Sequence, residues 1–76
     1  MERYKNLSGD SGILEYEIVK EGIKIKFKSG ATYLYTYESA GASNIELMRQ
    51  LALRGKGLSS FISRTVKAGY AYMSST

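Results

Sequence analysis

The residues best suited to chemistry lie in one short run, RGKGLSS, at positions 54 to 60. Gly55 and Gly57 allow the backbone to come close to a ligand. Arg54 and Lys56 bring positive charge. The free N–H groups at the start of the following helix, with Ser59 as its N-cap, face the same loop. Together such groups can hold a phosphate. The run lacks the Gly-x4-Gly-Lys spacing of a P-loop and the Gly-x-x-Gly clamp of KH domains. An ordinary turn between helices has a similar composition. Arg64 and Lys67 fall about 60° apart on the exposed side of that helix, one turn further on. With Arg49, Arg54 and Lys56 they form a basic surface that can follow a nucleic-acid backbone, and a solvated helix face is the plainer reading of the same residues.

The charge distribution favours the polyanion. Residues 1 to 46 hold six basic and seven acidic side chains, whereas residues 47 to 76 hold five basic and none acidic. The net charge of +4 therefore comes wholly from the C-terminal part. Catalysis has little to work with. The chain contains no histidine and no cysteine, so the common zinc ligands and the common general base are missing. Asp10 is the only aspartate, which argues against an oxygen-ligand metal cluster. Glu15 and Glu17 share one strand face about 7 Å apart, and paired carboxylates do acid–base work in glycosidases. Here the lysines of the next strand are placed to neutralise them. The expectation is a protein that is not an enzyme, with no cofactor and no metal.

These groups need a scaffold, and the hydrophobic pattern supplies one. SGILEYEIVK, IKIKFK and TYLYTY alternate with period two, as three strands of an antiparallel meander. Leu14, Tyr16 and Ile18 form the core face of the first strand. With Glu21-Gly22 as a two-residue turn, Ile18 pairs with Ile25 and Tyr16 with Phe27, while Glu17 meets Lys26 and Glu15 meets Lys28. The second hairpin admits two registers. A two-residue Ser29-Gly30 turn sets Tyr33 among the lysines, on a stacking face. A three-residue Lys28-Ser29-Gly30 loop pairs Ile25 with Tyr33 and Ile23 with Tyr35, turning both tyrosines inward. The second is favoured, because it puts the positive φ on glycine rather than serine. The outer face then carries Glu15, Glu17, Lys24, Lys26, Thr32, Leu34 and Thr36.

ESAGAS reads as a loop, and SNIE as a capping box with Ser43 as N-cap and Glu46 reaching back. A helix from about Asn44 to Arg54 shows the apolar stripe Ile45, Leu47, Met48, Leu51 and Ala52, and Gly55 stops it. A second helix from about Ser60 to Ala68 shows Phe61, Ile62, Thr65, Val66 and Ala68. YAYM at 70 to 73 adds a short strand. The fold class is α+β: a three-stranded meander followed by two short helices on one sheet face, in one domain over residues 1–76 with its core at about 11–69. The polar start MERYKNLSGDSG has no signal-peptide pattern, and no run approaches the roughly 18 apolar residues of a membrane span. A cytoplasmic protein with no membrane partner is the expectation.

FKSGATYLY resembles the centre of the KTSC domain, the short domain named for the C-terminus of some lysyl-tRNA synthetases. The family shows an aromatic residue, a Ser-Gly turn and a Tyr-x-Tyr pair, which here are Phe27, Ser29-Gly30, Tyr33 and Tyr35. ILEYE is similar to the family's first strand, ending near Tyr16. GKGLSSFIS is similar to its glycine, aromatic, Asn and Ile run, with Gly55, Leu58, Ser59 and Ile62 in those places. The resemblance spans about residues 11–66. The chain departs from the family in having no proline after Tyr-x-Tyr, Ser59 in place of Asn, and Ser63 where Arg is usual, with Arg64 one place later. What the resemblance implies is RNA binding, in a domain that occurs both alone and attached to a synthetase. Residue pattern and resemblance together set the expectation. RNA is bound through its phosphates by Arg49, Arg54, Lys56, Gly57, Ser59, Arg64 and Lys67. The alternative is a protein-interaction or self-associating domain that uses the outer sheet face around Leu34 or a free sheet edge.

Overall fold

Alternating apolar residues build a five-stranded antiparallel sheet in the order β1-β2-β3-β4-β5. The computed structural model describes residues 1–9, 11–66 and 68–75. The strands are β1 (Glu2–Arg3), β2 (Ile13–Val19), β3 (Gly22–Phe27), β4 (Thr32–Thr36) and β5 (Tyr72–Ser74). Helical segments α1 (Tyr37–Ala40), α2 (Ala42–Arg54) and α3 (Leu58–Phe61) follow β4, and α3 continues as a π-helical turn over Ile62–Val66. The chain is α+β, with the meander, the helices and the short C-terminal strand as expected. The two-residue β1 is an addition, and its polar sequence carries no strand signal.

The second hairpin has the three-residue loop. Ile23 lies opposite Tyr35 and Ile25 opposite Tyr33. Gly30 takes a φ of 97°, and its N–H donates to the Phe27 carbonyl at 2.9 Å. The tyrosines therefore face inward, and Tyr35 is 1% exposed.

The first hairpin differs from expectation by two residues. Its turn is Lys20-Glu21, so Ile18 faces Ile23, Tyr16 faces Ile25, Glu17 faces Lys24 and Glu15 faces Lys26. Gly22 is a strand residue rather than a turn residue. A Cβ there would overlap the Tyr35 carbonyl oxygen, so glycine serves the close approach of β4. Because the slip is an even number, no side chain changes face. The acids and lysines of the outer face still align, but among the described residues the ion pair within contact is Arg49–Glu46 at 3.9 Å. A bulge at Leu14 does change a face. It turns Ile13 into the core, at 1% exposure, and leaves Leu14 at 37%. Ile18 is 40% exposed, because β1 pairs only with Glu15 and Tyr16 and leaves this end of β2 uncovered.

Two helix boundaries are also corrected. Thr36 caps α1 through a reciprocal pair with Ser39, at 3.0 Å each way, so ESAG begins as a helical turn. α2 starts at Ala42 after Gly41, and Ser43 caps nothing. Glu46 accepts from the Tyr37 hydroxyl at 3.0 Å instead of reaching back to the helix start. Ile45, Met48 and Ala52 are buried against the sheet, Leu51 is half-buried, and Leu47 is exposed. Gly55 ends α2 in the left-handed conformation, as expected.

The π-turn explains the second helix. At about 100° per residue, an α-helix would set Thr65 in the middle of the stripe formed by Leu58, Phe61 and Ile62. The wider turn slows that advance. Val66 takes the buried place and Thr65 is exposed, as is Ala68.

Burial of Tyr35, reinforced by the nearby phenols of Tyr33 and Tyr70, pushes its hydroxyl up from 10.0 to about 12. The folded form then holds a proton that the unfolded chain loses above pH 10. This contribution is complete below about pH 10 and is lost as pH rises to about 12. Unfolding free energies from denaturant melts across that window should fall by on the order of 1–2 kcal/mol, and Tyr35→Phe should remove this part of the decline.

Candidate nucleic-acid interface

Three segments meet at a polar cavity of about 400 Å3. The turn after α2 contributes Lys56 and Gly57, the start of α3 contributes Ser59 and Ser60, and the N-terminal segment contributes Tyr4, Ser8 and Ser11. Each is held from its own backbone. Gly57, with φ 86°, is the N-cap of α3, so Ser59 lies inside the helix rather than at its cap. The Leu58 N–H donates to the Tyr4 hydroxyl at 3.3 Å. The Leu7 N–H donates to the Gly55 carbonyl at 2.8 Å. Asn6, in left-handed backbone at φ 54°, accepts the Ser11 N–H on its Oδ1 at 3.0 Å. The N-terminal segment thus wraps the loop and walls the cavity. Sequence reasoning missed that role, and its one signal is Tyr4, a lone aromatic in a polar run.

The cavity offers donors suited to an oxyanion: the Lys56 ammonium and the hydroxyls of Ser8, Ser59 and Ser60. α3 is a single turn of regular helix, so the dipole expected at this loop is slight, and the local donors carry the site.

The expected basic surface separates into parts. Lys56, Gly57 and Ser59 are at the cavity. Arg64 is exposed and reaches back along the helix, its Nε donating to the Ser60 carbonyl at 3.4 Å, which brings its charge beside the cavity. Arg54 is exposed at the end of α2 and does not line the cavity. Lys67 lies outside the described residues. Arg49 is no surface contact. Its guanidinium donates to the Val19 carbonyl at 2.9 Å and to the Gly22 carbonyl at 3.4 Å, and sits 5.3 Å from the centre of the Tyr37 ring. It ties α2 to the turn of the first hairpin, which is why sequence alone could not separate it from the other cations. Arg49→Ala should lower stability by about 1.5–3 kcal/mol in a urea melt, as carbonyls lose a charged donor. Arg49→Lys should restore only part of that, lacking the planar fork.

A second cavity, of about 610 Å3, opens beside the first: Gly12 and Ile62 line it, close in the chain to Ser11 and Ser60 of the polar one. Phe27, Tyr33, Tyr35, Tyr70 and Ile62 line it. Tyr33, half-buried, packs edge-to-face on Phe27 at 5.3 Å and on Tyr70 at 4.8 Å. Tyr33 is thus neither sealed in the core nor on an outer stacking face.

Among the described residues, no helix is long and apolar enough to cross a membrane, and no group of three or more His, Cys, Asp or Glu could hold a metal ion. Comparison with family models, with curated proteins and with solved structures gives no match for the chain.

Proposed function

We propose that this chain is a small non-enzymatic domain that binds the phosphate backbone of a nucleic acid, RNA first, at the Lys56–Ser60 cavity. The observation that carries this reading is the convergence of Lys56, Ser59 and Ser60 on one recess, with Arg64 folded toward it. Lys56, Gly57, Ser59 and Ser60 of the recess also belong to the part of the sequence that has five cations and no acid. The resemblance of FKSGATYLY to the centre of KTSC domains, for which RNA binding is the standing suggestion, supports the same proposal.

Phosphate binding at cationic side chains releases counterions, so it weakens steeply with salt. Fluorescence anisotropy with a labelled single-stranded RNA should give a slope of log affinity against log salt of about −2 to −3. Lys56→Ala with Arg64→Ala should weaken binding and make the slope shallower by about 1–2. Stability should hardly change, since both side chains are exposed. If the double variant binds as the parent does, or the parent binds nothing at about 50 mM salt, the proposal fails.

A second reading rests on the outer sheet face. Met1, Leu34 and Tyr72 meet there in an apolar recess of about 400 Å3, beside Lys24 and Thr32. Met1 is 50% and Tyr72 65% exposed. Such a patch fits a protein partner or a second copy of the chain. Sedimentation of the purified protein over a concentration series tests for the second copy.

A further inference from the structure

We infer that the tyrosine-lined cavity receives an unpaired nucleobase, so that the ligand of the neighbouring phosphate site is a single strand. This rests on the nucleic-acid reading above and adds to it which form of nucleic acid is bound and how.

The two cavities are adjacent. Ser11 lines the polar one and Gly12, the next residue, lines the aromatic one. On the opposite wall, Ser60 belongs to the polar cavity and Ile62, two residues on, to the aromatic one. The first wall is fixed: the Ser11 N–H is bound by Asn6, and the Gly12 carbonyl accepts the Lys28 N–H at 2.7 Å. A strand with one phosphate at Lys56 would therefore pass a neighbouring base directly to the rings.

The lining selects the kind of ring. Tyr33 and Tyr70 are braced against each other at an interplanar angle of 76°, and Tyr33 against Phe27 at 88°. Side chains held this way lose little freedom when a flat ring slides among them. The cavity is in the size range of small-ligand pockets. An aromatic cage of this composition could in principle take a quaternary ammonium. Lys28 on the lining, with no carboxylate among the described lining residues, opposes that and favours a ring attached to an anion. A base meets both conditions, with its π-face toward the tyrosines and its phosphate within reach of Lys28. A base within a duplex is stacked on both faces and cannot enter a recess.

The test compares a labelled single-stranded RNA with the duplex of the same sequence, on the parent, Tyr70→Leu and Gly12→Phe. A Cβ at Gly12 meets nothing within 4 Å, so phenylalanine there can plug the cavity without displacing the backbone. The parent should prefer the single strand by roughly tenfold or more, and each variant should lose most of that preference while keeping the salt slope. The chain has seven tyrosines and no tryptophan, and three of the seven line this cavity, so the part of its intrinsic emission that Tyr70→Leu and Gly12→Phe alter reports on these rings. Single strand should quench that part more than duplex does. Equal binding of strand and duplex, with Tyr70→Leu unchanged and no difference in quenching, overturns the base site. The phosphate reading then survives if Lys56→Ala with Arg64→Ala still weakens binding. If neither set of variants alters binding, both are overturned.

Discussion

Tyr35→Ala is expected to lower the unfolding free energy by about 3–5 kcal/mol, the range for truncating a large aromatic side chain in a core. Tyr35 is 1% exposed at the centre of the inner face, opposite Ile23 and beside Tyr33 and Tyr70. A single domain of 76 residues has only a few kcal/mol to lose, so the variant should be largely unfolded at 37 °C. Tyr33→Ala should cost less, since one side of Tyr33 already faces an open cavity. Urea melts of both measure the difference. A loss for Tyr35→Ala below about 1 kcal/mol would mean that the ring is not packed as described.

Gly22→Ala is expected to cost about 3 kcal/mol or more, although it adds one methyl group to a strand. The new Cβ would overlap the Tyr35 carbonyl oxygen and stand 2.9 Å from the Thr36 Cα. Both are backbone, so no rotamer change relieves the overlap. β4 would have to leave β3 at the pair Gly22–Thr36, and Gly22 also offers its carbonyl to Arg49. Gly12→Ala is the control, since its Cβ meets nothing within 4 Å. Thermal melts of the two variants should therefore diverge sharply, and similar melts would contradict the close approach of these strands.

Gly22 also shows why one hairpin was legible in the sequence and the other was not. Glycine can mark a positive φ or a close contact, and the sequence does not say which. At Gly30 it marks φ, and the Lys28–Gly30 loop follows from local conformation alone. At Gly22 it marks contact with a strand that arrives ten residues later, so the turn expected at Glu21-Gly22 lies one residue earlier and the pairing is two residues off. The inward side of each strand survived because period-two patterning depends only on parity. The bulge at Leu14 broke that parity, since Ile13 and Leu14 are equally apolar and only packing decides between them.

The binding loop was legible for a similar reason. Lys56, Gly57 and Ser59 lie within four residues of one another, and local sequence brings them together. The rest of the cavity comes from Tyr4, Ser8 and Ser11, more than forty positions away, and no short-range pattern announces that. Arg49 and Arg64 look alike in sequence, each as a cation on a helix. What separates them is tertiary: Arg49 reaches the carbonyls of Val19 and Gly22 beside the first hairpin turn, while Arg64 reaches only its own helix and solvent.

The π-turn at Ile62–Val66 has a consequence for how the length of this chain can vary. Five residues there span what four span in an α-helix, so the segment holds one residue in excess. Losing Ser63, which is exposed, would let the turn close to ordinary α geometry and bring Val66 into the inward place that Thr65 would otherwise take. A one-residue deletion, ruinous in β3 or β4 where it would invert a whole face, is here the change the backbone is best able to absorb. Loss of a single codon should therefore be tolerated at this point of the gene before anywhere in the sheet.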